Sequence, residues 1–142
     1  MDTRTAPFLG IGWGFPVVRE PVDESAGAAL RLARARYEAS VHQGIILVLS
    51  TAKGERVMRP GFGCGIHELL FAPNDATTRG MAESEVRDAL RQWEPRIEVL
   101  RVTAAPDGSH GERLLLSVDY RVSKTDSRFN LVFPFYLSRP LR

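Results

Sequence analysis

The sequence predicts an α+β fold, with a small antiparallel sheet, two main helices packed on it and a C-terminal edge strand. Two stretches place apolar residues at helical spacing, and three later stretches alternate apolar and polar residues as strands do. The chain has 142 residues, which is enough for one domain with a real core. We predict an N-terminal arm over residues 1–14 and a single domain over residues 15–142.

The first third of the chain is predicted to pass from short strands into a helix. Phe15 to Val18 suits a short strand that Pro21 limits. Ala28 to Tyr37 is ambiguous: its two-residue period suits a half-buried strand, whereas alanine and arginine also favour helices. We predict a strand that turns into a helix near Arg36. That helix runs to about Leu49, because five apolar residues fall on one face: Tyr37, Val41, Ile45, Val48 and Leu49.

The centre of the chain, from Thr51 to Phe71, is rich in glycine. Glycine adopts backbone angles that other residues resist, so we predict a shaped loop between hydrophobic anchors. It is not a phosphate-binding loop, because no Gly-Lys-Ser/Thr sequence follows the glycines. One or two helical turns are predicted over Ile66 to Phe71, ended by Pro73. The loop residues on which this rests are Gly54, Pro60, Gly61, Gly63 and Gly65.

A second helix and three strands follow. Asn74 or Asp75 is expected to cap a helix over Thr77 to Trp93, which Pro95 stops. Its apolar stripe is Ala82, Val86, Ala89, Leu90 and Trp93, and its outer face carries Glu83, Arg87 and Arg91. The strands begin at Ile97, at Leu114 and at Phe129, with a turn at Asp107-Gly108 and apolar alternation through Phe129, Leu131, Phe133 and Phe135. Pro134 cannot donate to a ladder, so the last strand is predicted at a sheet edge.

Composition and charge exclude several classes of function. The net charge is only +2, which gives no electrostatic reason to expect nucleic acid or an anionic membrane as partner. The longest apolar run, Ile45 to Leu49, is far shorter than the roughly 20 residues of a membrane helix. The N-terminus shows no secretory signal. Cys64 is the single cysteine, so the fold cannot contain an intrachain disulfide, which suits a reducing compartment.

No residue pattern predicts catalysis, a metal site or a cofactor. Cys64 and His67 could form a thiolate–imidazole pair, but a small buried thiol in a glycine-rich turn is the simpler interpretation. Zinc would need about four ligands, and His42, His67 and His110 are scattered. Glu55, Glu68 and Asp75 are carboxylates of the kind that a glycosidase uses, but any chain of this length has such residues, and solvated or ion-paired acids are the simpler interpretation.

Two segments are candidates for protein contacts. In Glu94-Pro95-Arg96, proline fixes the backbone, so both charges are expected to project from a rigid corner at a helix end. A plain helix stop would give the same residues. Asn130 to Tyr136 forms the predicted edge strand, which can pack one face on the core while its edge pairs with another chain.

Five stretches, taken in order, resemble one family. The segment Gly54-Glu-Arg-Val-Met-Arg-Pro-Gly-Phe-Gly-Cys-Gly matches its signature loop, and Glu94-Pro95-Arg96 is similar to its Glu-Pro-Arg motif. Gly12-Trp-Gly-Phe-Pro, Glu38 to Thr51 and Asn130-Leu-Val-Phe-Pro-Phe-Tyr-Leu resemble its N-terminal entry, first helix and final strand. This is the phage baseplate wedge family, sometimes labelled lysozyme-like, of contractile tails, tail-like bacteriocins and contractile injection systems.

The resemblance implies a structural role without catalysis, cofactor or metal. Glu94, Pro95 and Arg96 become candidates for contact with larger baseplate wedge subunits. Asn130, Leu131, Val132, Phe133, Pro134, Phe135 and Tyr136 become candidates for a sheath-facing strand that starts sheath assembly. Further partners would be inner tube or hub proteins, but neither nucleic acid nor membrane. The protein would assemble in the cytoplasm and end in the baseplate of a tail or tail-like particle.

Two other functions stay open at this point. One is a peptidoglycan-degrading, lysozyme-like hydrolase, which would need two carboxylates about 5–10 Å apart in a cleft. The other is a small regulatory adaptor, because this kind of fold also resembles a bacterial anti-adaptor. If the protein is instead a structural baseplate subunit, Arg96→Ala is expected to leave the fold intact and to block assembly.

Overall fold

The computed structural model describes residues 7–21, 30–108 and 111–137. The chain divides into two compact units, residues 1–44 and residues 45–142. The boundary between them falls inside helix α1, Glu38–Ser50. The predicted division into an arm and one domain stays a prediction.

In its described residues, 7–21 and 30–44, the first unit contains a 3-10 turn, Pro7–Leu9, and four three-residue strands: β1 Ile11–Trp13, β2 Arg19–Pro21, β3 Leu30–Leu32 and β4 Arg34–Arg36. Strand β1 pairs antiparallel with β4, and β2 pairs antiparallel with β3. The end of the predicted arm therefore forms a strand.

The strand predicted at Phe15 to Val18 is wrong, since β2 begins only at Arg19. The side chain of Gln43 supplies the reason. Its Oε1 accepts the Phe15 N–H at 2.8 Å, and its Nε2 donates to the Trp13 carbonyl at 2.8 Å. Pro16 has no N–H to offer. The Phe15 N–H is therefore satisfied by a side chain instead of a strand ladder.

The choice of strand over helix before α1 is confirmed for residues 30–36, with one interruption at Ala33. The Ala33 N–H donates to the Val18 carbonyl at 2.8 Å, and its carbonyl accepts the Gly14 N–H at 2.7 Å. Tyr37, at φ 53°, then turns the chain into α1. Ala28 and Ala29 lie outside the described residues.

The second unit contains the end of α1, a 3-10 turn at Gly65–Leu69, helix α2 at Ala76–Trp93 and a three-stranded sheet. The strands are β5 Ile97–Asp107, β6 Arg113–Val122 and β7 Ser127–Tyr136, in the order β5-β6-β7, and both pairs are antiparallel. The two predicted helices and the antiparallel sheet are thus confirmed. The core of this unit includes Ile45, Val48, Leu49, Ile66, Val86, Leu90, Leu114, Leu116, Val118 and Val122.

Helix α2 begins and ends as its sequence predicts. The Asp75 carboxylate accepts the Thr78 N–H at 2.8 Å, and this bond lowers the pKa of Asp75. Four residues of the predicted stripe are buried and Trp93 is half-buried. The prediction that Glu83 lies on the outer face of α2 leaves out one contact of its side chain. Its Oε1 accepts the Ala104 N–H of β5 at 2.9 Å.

The predicted alternation of β6 is confirmed, and so is the edge position of β7. The apolar face of β7 is only partly buried. Leu131 and Phe135 are buried, Phe133 is half-buried, and Phe129 is 37% exposed while stacking on Tyr120.

Candidate functional site

The Glu94-Pro95-Arg96 segment forms a closed ion pair at the end of α2. Arg96 Nε donates to Glu94 Oε1 at 2.7 Å, and Arg96 Nη2 donates to Oε2 at 2.7 Å. The Glu94 side chain is only 5% exposed. The expectation that both charges project outward is therefore wrong for Glu94. The planar guanidinium fork matches the carboxylate two residues earlier, and Pro95 fixes the turn between them.

The ion pair fixes the position and charge of Arg96. The hydrogen bonds that Arg96 donates to Glu94 raise the pKa of Arg96, because they stabilise the charged guanidinium. The Glu94 N–H donates to the Leu90 carbonyl at 3.0 Å, which ties the pair to the last turn of α2. Since 32% of the Arg96 side chain is exposed, the corner presents part of a pre-oriented cation at the surface.

The glycine-rich segment, residues 52–65, is a loop closed at its neck. We call it the glycine loop. The Cys64 N–H donates to the Thr51 carbonyl at 2.9 Å, and the Gly54 N–H donates to the Pro60 carbonyl at 2.7 Å. Gly63 has a φ of +123°, and a Cβ at this position would lie 2.4 Å from the Thr51 oxygen. The neck therefore closes only with glycine at position 63. The predicted shaped loop is confirmed.

The glycine loop and the Glu94–Arg96 corner belong to one surface. The rings of Phe62 and Trp93 meet edge to face with centroids 5.1 Å apart. The guanidinium carbon of Arg56 lies 4.0 Å from the Phe62 ring centroid. Trp93 directly precedes Glu94, so this stack joins the loop to the corner. Nothing in the linear pattern of residues indicates the contact between Phe62 and Trp93.

The second predicted site, Asn130 to Tyr136, lies on β7. Val132 is 53% exposed and Tyr136 is 47% exposed, both on the face opposite Leu131 and Phe135. The Asn130 side chain is held by β6, since its Nδ2 donates to Ser117 Oγ at 2.8 Å and to Asp119 Oδ1 at 2.6 Å. Strand β7 pairs with β6 along its whole length.

The two edges of this sheet differ. On β5, the Ala104 N–H is occupied by the Glu83 carboxylate of α2. On β7, no strand among residues 7–21, 30–108 and 111–137 pairs with the side away from β6.

Both edge strands contain a proline, Pro106 and Pro134. A proline is tolerated where its nitrogen faces away from the neighbouring strand. Residues two apart in a strand point their backbone groups to the same side, so the N–H groups of Val132 and Tyr136 face outward with the Pro134 nitrogen.

Three side chains that were considered for catalysis or metal binding, Cys64, His67 and Glu55, are held within the fold. Cys64 is fully buried, and burial raises the pKa of its thiol to about 11. The ring nitrogen Nε2 of His67 lies 2.9 Å from the Leu49 carbonyl oxygen, within hydrogen-bonding distance. The carboxylate of Glu55 accepts the Ala52 N–H at 2.9 Å within the glycine loop. In the described part of the chain, no three side chains of the metal-binding types cluster together.

The raised pKa of Cys64 predicts both low reactivity and a pH-dependent stability. Folding favours the neutral thiol, so the free energy of unfolding should fall as pH rises from about 9 to about 11. Cys64→Ala should remove this part of the decline, which is on the order of 2 kcal/mol. Chemical denaturation of both proteins across this range measures the difference. Rapid alkylation of the native thiol by iodoacetamide below pH 9 would contradict the buried, neutral state.

The chain resembles proteins of contractile tails and of related systems. The family model described as baseplate wedge protein gp25 matches residues 35–127, well over half of the chain. Baseplate wedge protein gp25 of Enterobacteria phage T4 is 33% identical over 67 residues, which cover 47% of this chain and 51% of the phage protein. The matched segment thus spans about half of that relative.

Two solved structures share the fold. A Geobacter sulfurreducens protein that carries the name tail lysozyme is 52% identical, with a TM-score of 0.67, covering 73% of this chain and 94% of that one. A chain of the anti-feeding prophage baseplate has a TM-score of 0.71 at 22% identity, covering 82% of this chain and 88% of that one. No described helix is both long and apolar enough to span a membrane.

Together the fold and the two surfaces define a small α+β protein with candidate sites for protein contacts at a helix end and a sheet edge. The chain belongs to the baseplate wedge protein gp25 family. The resemblance noted in the sequence is therefore confirmed.

Proposed function

We propose that this protein is a structural baseplate wedge subunit that links the inner baseplate to a contractile sheath and starts sheath assembly by strand addition. The observation that carries this proposal is the edge of β7, with which no other strand of the described residues pairs, whereas Glu83 holds the Ala104 N–H on the opposite edge. A second chain that adds a strand to β7 would meet the outward N–H groups of Val132 and Tyr136, whereas on β5 the Ala104 N–H is already bonded to Glu83. Strand β7 is therefore the edge that we propose for strand addition.

The Glu94–Arg96 corner is the proposed contact with larger wedge subunits. A binding surface gains affinity when its side chains are already ordered in the free protein. Glu94 orders the Arg96 guanidinium before any partner arrives, and arginine suits paired contacts with carboxylates or carbonyls. The partner chemistry that fits is a protein surface with such acceptors. For the protein as a whole, the candidate partners are the wedge subunits, the sheath protein and the inner tube or hub proteins. The baseplate that contains them would be assembled in the cytoplasm.

The hydrolase alternative has the name of the Geobacter protein in its favour. Two of the three carboxylates weighed for it are engaged in the fold, whereas the third, Glu68, is exposed. Glu55 accepts a backbone N–H in the glycine loop, and Asp75 caps α2. A general acid needs a proton to give and a cleft that raises its pKa, whereas the pKa of Asp75 is lowered. The proposal is therefore a subunit without catalysis.

Strand addition predicts a specific effect of Val132→Pro. The change removes an outward N–H and leaves the β6 ladder in place, so the protein should fold and enter the baseplate while sheaths fail to grow. Val132→Thr keeps the N–H and is the matched control. Electron microscopy of particles from cells that make each variant measures sheath length, and circular dichroism of the purified protein checks the fold.

A second variant covers the case in which the proline disturbs the sheet. Val132→Lys keeps every backbone group and places a charge on an exposed edge position, which discourages strand addition. We expect it to shorten or abolish sheaths as Val132→Pro does. Full-length sheaths on particles that carry either folded variant would rule out the strand-addition proposal.

A further inference from the structure

The tip of the glycine loop exposes two apolar side chains between two arginines. Val57 is 94% exposed and Met58 is 90% exposed, more than any other large apolar side chain in the described part of the chain. Arg56 and Arg59 flank them and are also exposed. We call Arg56 to Arg59 the loop tip. An apolar pair this exposed gains nothing from the fold, so its placement needs a different explanation.

The loop tip is held in place from several sides. The Arg59 N–H donates to the Arg56 carbonyl at 3.3 Å, and the Phe62 N–H donates to the Arg59 carbonyl at 3.0 Å. The Arg56 guanidinium lies over Phe62, which packs on Trp93. Because the neck is also closed, the loop tip is already ordered before a partner binds. A partner that binds it loses less ordering free energy than one that binds a flexible loop.

The charges of the loop tip indicate the chemistry of the partner. Among residues 7–21, 30–108 and 111–137, no carboxylate forms an ion pair with Arg56 or Arg59. Burying an unpaired guanidinium in an interface is costly, so the partner must supply acidic groups beside any apolar pocket. Methionine and arginine are both enriched in the buried centres of protein interfaces. The loop tip, with two apolar residues between two cations, therefore fits an apolar pocket with an acidic rim.

We propose that the loop tip is a second docking point for a baseplate wedge subunit, beside the Glu94–Arg96 corner, and that Val57 and Met58 enter an apolar pocket rimmed by carboxylates. This rests on the proposed function, since it assigns a partner to the same surface. The stack of Arg56, Phe62 and Trp93 makes the surface continuous from tip to corner. The corner positions one cation, and the tip adds apolar area and two more cations.

The test uses full-length protein and the purified wedge complex from the same particle, prepared without this subunit. We expect Val57→Ser/Met58→Ser to weaken binding at least tenfold, and Arg59→Glu to weaken it by a similar factor that shrinks as salt rises. Met81→Ser and Arg101→Glu are matched controls, because both residues are exposed elsewhere in the same unit. They should change binding less than twofold.

Site-specific crosslinking then tests the pocket itself. A photoreactive phenylalanine analogue at position 58, in assembled particles, should crosslink to a wedge subunit at apolar residues with Asp or Glu nearby. Crosslinks to lipid, or binding of the protein to anionic phosphatidylglycerol vesicles that requires Val57 and Met58, would overturn the inference in favour of a membrane contact. Unchanged wedge binding by both loop-tip variants would also overturn it.

The outcomes separate this inference from the proposed function. If the variants at the tip bind normally while changes at the Glu94–Arg96 corner abolish binding, the tip is not a contact and the wedge role stands. If the unaltered protein does not bind the wedge complex at all, both proposals fail.

Discussion

Replacing Gly63 with alanine is expected to destabilise the protein by about 3–5 kcal/mol, since positive-φ strain and a backbone clash add together. At φ +123°, a Cβ would meet the Thr51 oxygen at 2.4 Å and the Ala52 backbone at 3.0 Å. These atoms belong to the main chain and cannot rotate away. The Thr51–Cys64 hydrogen bond that closes the glycine loop should therefore be lost or stretched.

Thermal unfolding measures this effect, and the expected fall in Tm is roughly 10 °C or more. The matched control is Gly80→Ala in α2, where an added Cβ meets nothing within 4 Å. That change should raise stability by about 0.5–1 kcal/mol, because alanine favours helices. A Gly63→Ala protein as stable as the unaltered one would show that the neck can open without cost.

Removing the Arg96 side chain is expected to cost about 2–4 kcal/mol, because the buried carboxylate of Glu94 loses its partner. The sequence alone leads to the opposite expectation, that Arg96→Ala leaves the fold intact. The difference arises because Glu94 is only 5% exposed and is bound through both oxygens. Urea denaturation of Arg96→Ala measures the loss.

A double variant separates folding from binding at this corner. In Glu94→Gln/Arg96→Met neither charge remains, so most of the lost stability should return. If the corner contacts a wedge subunit, this folded double variant should still fail to enter particles. Normal incorporation of the double variant would mean that the ion pair serves the fold alone. Arg96→Ala with unchanged stability would instead show that water replaces the guanidinium.

Local signals predicted most of the second unit. The cap at Asp75 and the stop at Pro95 bound α2 to within a residue, because both act through neighbouring backbone groups. The alternation of β6 and the proline of β7 gave the strand and its edge position. These features depend on residues close in sequence, so a single sequence contains them.

Features that depend on distant partners could not be predicted. The Phe15 backbone is satisfied by Gln43, which lies 28 residues away, and the predicted strand there was wrong. The burial of Glu94 and the hydrogen bond that the Ala104 N–H donates to Glu83 likewise depend on the tertiary fold. The same holds for the contact between Phe62 and Trp93, which joins the glycine loop to the corner.

The most direct test of the central claim is electron cryomicroscopy of the contractile particle, made in cells whose only copy of this protein carries a small tag. We expect the tag at the baseplate end, the loop tip and the Glu94–Arg96 corner against a wedge subunit, and a strand of the sheath protein added to β7. Particles that form normally without the tagged protein, or a β7 edge that faces solvent in a fully sheathed particle, would contradict it.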